Sequence, residues 1–145
     1  MIVDGWWVTP ATVKAVVRRG EEVLLGLNPR GEWELPGGRP DQPEASVAQV
    51  VERELLEETG LPVRAGRLLV ADLFEVVPGH RLLVVVLLAT LSDDTAPDAD
   101  GEGPARSEEH SELGWFRRDD LPHPLPSIYR RAVAEAFAPP ASSSA

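Results

Sequence analysis

Three glutamates, Glu54, Glu57 and Glu58, stand at i, i+3 and i+4 spacing between Arg53 and Gly60. Carboxylates so spaced share one face of a helix, where they can hold a cation or accept a proton. At about 100° per residue with Glu54 at zero, Val47, Val50 and Val51 fall at roughly +20°, −40° and +60°. Glu57 and Glu58 fall at roughly −60° and +40°, so the stripe is apolar in its first two turns and acidic in its last two. The face expected to pack inward therefore carries three carboxylates, whereas solvated acids belong opposite the valines. Acids near a helix C-terminus also oppose the macrodipole and repel each other, at a few tenths of a kcal/mol per pair. A divalent cation would reverse these penalties. An all-oxygen donor set without His or Cys favours magnesium, manganese or calcium over zinc. Just upstream, Leu35-Pro36-Gly37-Gly38 supplies paired glycines. Such a pair lets the backbone approach a ligand and aim a carbonyl at a cation or an amide at phosphate.

The elements that position these groups follow from local pattern. Ser46 with Gln49 three residues later is a capping-box pair, and Gly60 followed by Pro62 marks the end of a helix over 46–59. Val13 to Arg18 and Val23 to Leu27, separated by Arg19-Gly20-Glu21, predict a β-hairpin. Trp33-Glu34-Leu35 is a short extended piece, and residues 39–44 form a loop with two prolines. Residues 63–77 read as one or two strands. Pro78-Gly79 turns the chain into Arg81–Leu91, apolar on both faces as a covered central strand would be. Residues 92–107 form a polar loop, Leu113–Phe116 a short strand, and Ser127–Phe137 a second helix. The mixture predicts an α/β domain with helices on both faces of a mixed sheet. The expected organisation is an arm over 1–10, a domain over 11–138 and a flexible tail over 139–145. Adjacent Trp6 and Trp7 would cover an edge or a partner subunit, or lie in an arm tucked against its own domain, the simpler expectation.

Composition narrows the function. The 145 residues include no cysteine, which excludes a disulfide scaffold, a thiol nucleophile and a Cys-ligated zinc. A formal charge of −10 argues against nucleic acid or an anionic membrane as the main partner, but not against a small anion met through a metal. The longest apolar run, Leu82–Ala89, is too short to span a bilayer, and no signal peptide is visible, so a cytoplasmic location is expected. Arg39 and Arg81 are candidate phosphate contacts, and Trp33 can either stack on a base or pack in the core. His80, His110 and His123 show no ligand spacing; His110 can serve as a proton carrier beside Glu109.

Taken together, these residues resemble the Nudix hydrolase family, whose box runs G-x5-E-x7-R-E-U-x-E-E-x-G-U with U a bulky aliphatic. Arg53-Glu54-Leu55-Leu56-Glu57-Glu58-Thr59-Gly60-Leu61 matches the second half without a mismatch, and Gly38 and Glu44 match the opening. Eight residues rather than seven separate Glu44 from Arg53, and the capping pair places the extra one in the 39–45 loop.

The resemblance implies a Nudix-type α/β/α sandwich with a mixed central sheet. It implies that Glu54, Glu57, Glu58 and the Gly38 carbonyl hold magnesium, for which manganese can substitute. Arg53 would orient the glutamates and pair with Glu44, provided the longer loop reaches. Glu109 would add a loop carboxylate near the metal, with Glu108 and Glu112 as alternatives. The expected activity is hydrolysis of the pyrophosphate bond in a nucleoside diphosphate linked to another moiety, such as ADP-ribose or a nucleotide sugar. Two alternatives stand beside it: a sanitising pyrophosphohydrolase of modified nucleoside triphosphates, and a nucleotide-binding module without catalysis. The partner is a small nucleotide, and a homodimer is compatible with the sequence.

Overall fold

The computed structural model describes residues 1–92 and 111–140. The chain opens with a small hairpin of β1 (Ile2–Val3) and β2 (Trp6–Trp7), turned by Asp4 and Gly5 at φ 50° and 84°. It continues through β3 (Ala11–Arg19), β4 (Glu22–Leu27), β5 (Trp33–Glu34) and β6 (Gly37–Gly38) to helix α1 (Val47–Thr59). Strands β7 (Val63–Val77), β8 (His80–Leu91) and β9 (Glu112–Arg117) precede helix α2 (Ser127–Phe137).

The sheet runs β5-β4-β3-β8-β7, with β6 also pairing to β3 and β9 to β4. Strand β3 is parallel to β8 and antiparallel to β4, which makes the sheet mixed as expected. Alternation along β3 divides the core: Val13, Ala15 and Val17 pack with Val50, Val51 and Leu55 under α1, whereas Val16 packs with Ile128, Tyr129 and Val133 under α2. Residues 63–77 form one strand rather than two, carried through three register shifts against β8.

Helix α1 begins and ends where its caps place it. Ser46 Oγ accepts the Gln49 N–H at 3.2 Å, and Gly60 adopts φ 72° with its N–H donating to the Leu56 carbonyl. The reciprocal arm of the box is shifted: Gln49 Oε1 accepts the N–H of Ala45. At the far end of α2, arginines from the sheet hold the last carbonyls, Arg18 donating to Ala136 O and Arg67 to Glu135 O and Ala138 O. These bonds satisfy helix-end acceptors with cations where the dipole favours them.

Residues 1–10 are exposed, with Trp6 and Trp7 each 77% accessible, and the arm meets the domain at Pro10, whose carbonyl accepts the Leu83 N–H at 2.9 Å. One expectation needs correction. The buried face of α1 centres on Val51 and Leu55 rather than on Glu54, and Val47, the first residue of the helix, is exposed. Among the described residues no helix is long and apolar enough to cross a membrane.

Candidate active site

The acidic end of α1 is organised by one guanidinium. Arg53 Nε and one terminal nitrogen each donate to Glu44 at 2.8 Å, a bidentate pair, and that same nitrogen reaches the Arg39 carbonyl at 3.0 Å. The other terminal nitrogen donates to Glu54 at 3.0 Å and to Glu57 at 3.2 Å. The 39–45 loop, one residue longer than the family spacing, therefore still delivers Glu44 to Arg53. Its carboxylate also accepts the Asp41 N–H at 2.7 Å, which folds the extra residue back on itself.

The hydrogen bonds from Arg53 hold the Glu44 carboxyl below its ordinary 4.5, and Glu44 in turn raises the arginine. A carboxylate depressed by folding contributes stability above its unfolded value and loses it as pH falls through the folded one. The expected result is that Glu44→Gln lowers the melting temperature slightly near pH 7. The gap to wild type should hold above the ordinary 4.5 and narrow progressively as pH falls below it, as read in parallel thermal melts.

The three helix carboxylates are not equally inward. Glu58 is 6% exposed, the Glu54 side chain 13% and the Glu57 side chain 60%, so Glu57 stands at the rim. Glu58 is anchored: its Oε2 accepts the Gly37 N–H at 3.2 Å. Gly37, at φ +145°, threads between this carboxylate and β3, where an added Cβ would lie 2.1 Å from the Val13 carbonyl oxygen. At Gly38 the constraint is different. A Cβ there would stand 2.5–2.7 Å from the carboxylate atoms of Glu54, so the acid rests directly on the glycine.

Among the described residues no group of three or more His, Asp or Glu side chains converges as a metal cage, and Arg53 engages both Glu54 and Glu57. The donors nonetheless suit a hard divalent cation. They are all oxygen, they are ordered in advance, and Gly38 leaves its main chain open against Glu54. Such a set could hold the ion, with Arg53 positioning the carboxylates.

On the α2 side of the sheet lies a cleft of about 1000 Å³. Arg39 and Arg81, far apart in sequence, both line it. Lys14, Phe74 and Tyr129 line it too, and none had been singled out from the sequence. Burial pushes the Tyr129 hydroxyl above its ordinary value, aided by Glu34, so it is a hydrogen-bond donor at neutral pH. None of Glu54, Glu57 and Glu58 lines the cleft; Gly37-Gly38-Arg39 joins the two regions.

Of the two roles open to Trp33, the structure shows packing. It does not line the cleft; its ring meets Phe116 edge-on at 4.9 Å beside the core under α2. Glu109, Glu108 and His110 lie outside the described residues. Glu112 is exposed at the start of β9, opposite Leu27.

Residues 8–136 match the family model of the NUDIX domain. The chain is similar to the CTP pyrophosphohydrolase of Escherichia coli, at 30% identity over 119 residues covering 78% of this chain and 80% of that protein. The NAD-capped RNA hydrolase NudC of Erwinia tasmaniensis is 28% identical over 136 residues, 90% of this chain but 48% of its own length. A solved MutT NUDIX hydrolase from Burkholderia pseudomallei is 31% identical, with a TM-score of 0.69 over 89% of this chain and 98% of that one.

Proposed function

This chain belongs to the NUDIX family and is a hydrolase of phosphorus anhydrides, and from that premise we propose that it cleaves the pyrophosphate bridge of a nucleoside diphosphate linked to a second moiety. In this reading Glu54, Glu57, Glu58 and the Gly38 carbonyl hold magnesium, and Glu109 supplies a further loop carboxylate. The observation that carries it is the adjacency of two unlike regions. Carboxylates ordered by Arg53 stand on one side of Gly37-Gly38, and a cleft with arginines and aromatic rings opens beyond it.

Hydrolysis breaks one P–O bond of the bridge, water adding to one phosphorus while the other phosphate leaves. A bound divalent cation supplies positive charge to the diphosphate oxygens and lowers the pKa of the attacking water. The chain's own contribution is to order the carboxylates before substrate arrives, and to have one of them accept the water's proton. Arg39 and Arg81 hold phosphate oxygens, and Phe74 and Tyr129 offer apolar faces to a base.

A second reading, pyrophosphate release from a nucleoside triphosphate, is favoured by the likeness to a CTP pyrophosphohydrolase. Incubation with ADP-ribose, a UDP-sugar and CTP separates the two. Nucleoside monophosphate plus a sugar phosphate supports the first, monophosphate plus pyrophosphate supports the second, and both products should require magnesium. No monophosphate from any of the three would sink both.

A further inference from the structure

Of the 14 basic residues 13 are arginine; the one lysine, Lys14, lies in the middle of β3, one of the sheet's two central strands. Its neighbours Val13, Ala15, Val16 and Val17 are all buried core residues, and Lys14 itself is only 8% exposed. Lysines so little exposed are rare unless an anion answers them. Among the described residues no carboxylate forms an ion pair with Lys14; the salt bridges there are made by arginines.

Where the side chain goes is fixed by strand parity. Lys14 shares its face with Val16, which packs under α2, and its side chain lines the cleft together with Arg39 and Arg81. It is also tied to the acidic site by one residue. Lys14 pairs with Gly37 across β3 and β6, and a Cβ on Gly37 would meet Lys14 Cα at 2.6 Å and Cδ at 3.0 Å. The lysine stem therefore packs on the same glycine whose N–H anchors Glu58.

We propose that Lys14 is the buried anchor for a phosphate of the substrate, holding it on the cleft side of Gly37 while the carboxylates act on the other side. This deepens the reading of the chain as a nucleotide hydrolase and rests on it for the identity of the anion. The ammonium is a compact point charge on a flexible stem, suited to one phosphate oxygen rather than to a bidentate grip. The apolar strand around it makes that contact stronger than the same contact at the surface would be. In the free protein the buried charge is a cost to stability, and the substrate offsets it.

The test is Lys14→Met, which keeps the stem against Gly37 and removes the charge. With the nucleotide that wild type cleaves, KM should rise at least tenfold while kcat changes less than threefold. The melting temperature of the free variant should hold or rise, since an enclosed charge has been replaced by an apolar group. A lysine with only a structural role would show the opposite pattern, a lowered melting temperature with KM unmoved, and either of those results would overturn the proposal. Calorimetric titration with inorganic pyrophosphate in chelator separates this proposal from the hydrolase reading, because it requires neither turnover nor metal. Wild type should bind and Lys14→Met should bind at least tenfold more weakly. Equal binding, or no binding by wild type, would reject Lys14 as the anchor even if the enzyme proves active, and the predicted difference would stand even if no nucleotide in the panel were cleaved.

Discussion

Glu58→Gln is expected to lower kcat by about a hundredfold or more and leave the melting temperature close to wild type. The reason lies in what glutamine can and cannot replace. Glu58 Oε2 accepts the Gly37 N–H, and a glutamine carbonyl oxygen can accept the same bond, so the link between α1 and β6 survives. The negative charge does not survive, and a charge ordered in advance for a cation and its phosphate ligand is worth about 10²–10³ in rate. The position strengthens the effect: Glu58 is almost wholly buried, so little water screens the loss. Steady-state turnover, with manganese affinity read by calorimetry and folding by thermal melts, would check it. Turnover near wild type with the fold intact would remove Glu58 from the proposed metal set. Loss of activity accompanied by a collapsed melt would mean only that the Gly37 anchor had failed.

What could be read from the sequence was what is local. The caps of α1 rest on Ser46, Gln49 and Gly60, all within one turn of the ends they mark, and they appear where the pattern placed them. The hairpin of β3 and β4 and the covered strand β8 follow from alternation and apolar runs, which physics imposes on any strand. The rotation of α1 was less accessible. Taking Glu54 as the centre of the buried stripe misses the true centre by about 60°, because the sheet beneath the helix decides its facing side. Leu55, fully buried, and Glu57, largely exposed, are the residues that shift. Arg53 and Glu44 were paired only conditionally, since nothing local says whether a lengthened loop can return; the Asp41–Glu44 bond is what closes it. Lys14 carried a signal that went unused. A lysine inside the run Val13–Val17 breaks the apolar pattern of a central strand, and such a break asks for a partner or a ligand. The cleft itself joins residues more than a hundred positions apart, from Lys14 to Tyr129, and no window on the sequence contains them together.

Gly38→Ala isolates geometry from charge. No left-handed φ forces glycine at this position, as it does at Gly37; what Gly38 provides is space. The added methyl would fall 2.5–2.7 Å from the Glu54 carboxylate, a distance that cannot be kept. The group that gives way is the end of a flexible side chain rather than backbone, so the fold should tolerate the change and the melting temperature should move little. Glu54 has to swing off the glycine, and its hydrogen bond from Arg53 is then strained or lost. Displacing a positioned group by about 1 Å can cost about 10² in rate, so kcat should fall about a hundredfold with every carboxylate still present. Manganese titration should weaken in parallel if Glu54 is a ligand, whereas a change confined to substrate entry would raise KM and leave metal affinity alone. An alanine variant with wild-type turnover and wild-type manganese binding would mean that Glu54 and Gly38 are neighbours without a shared task.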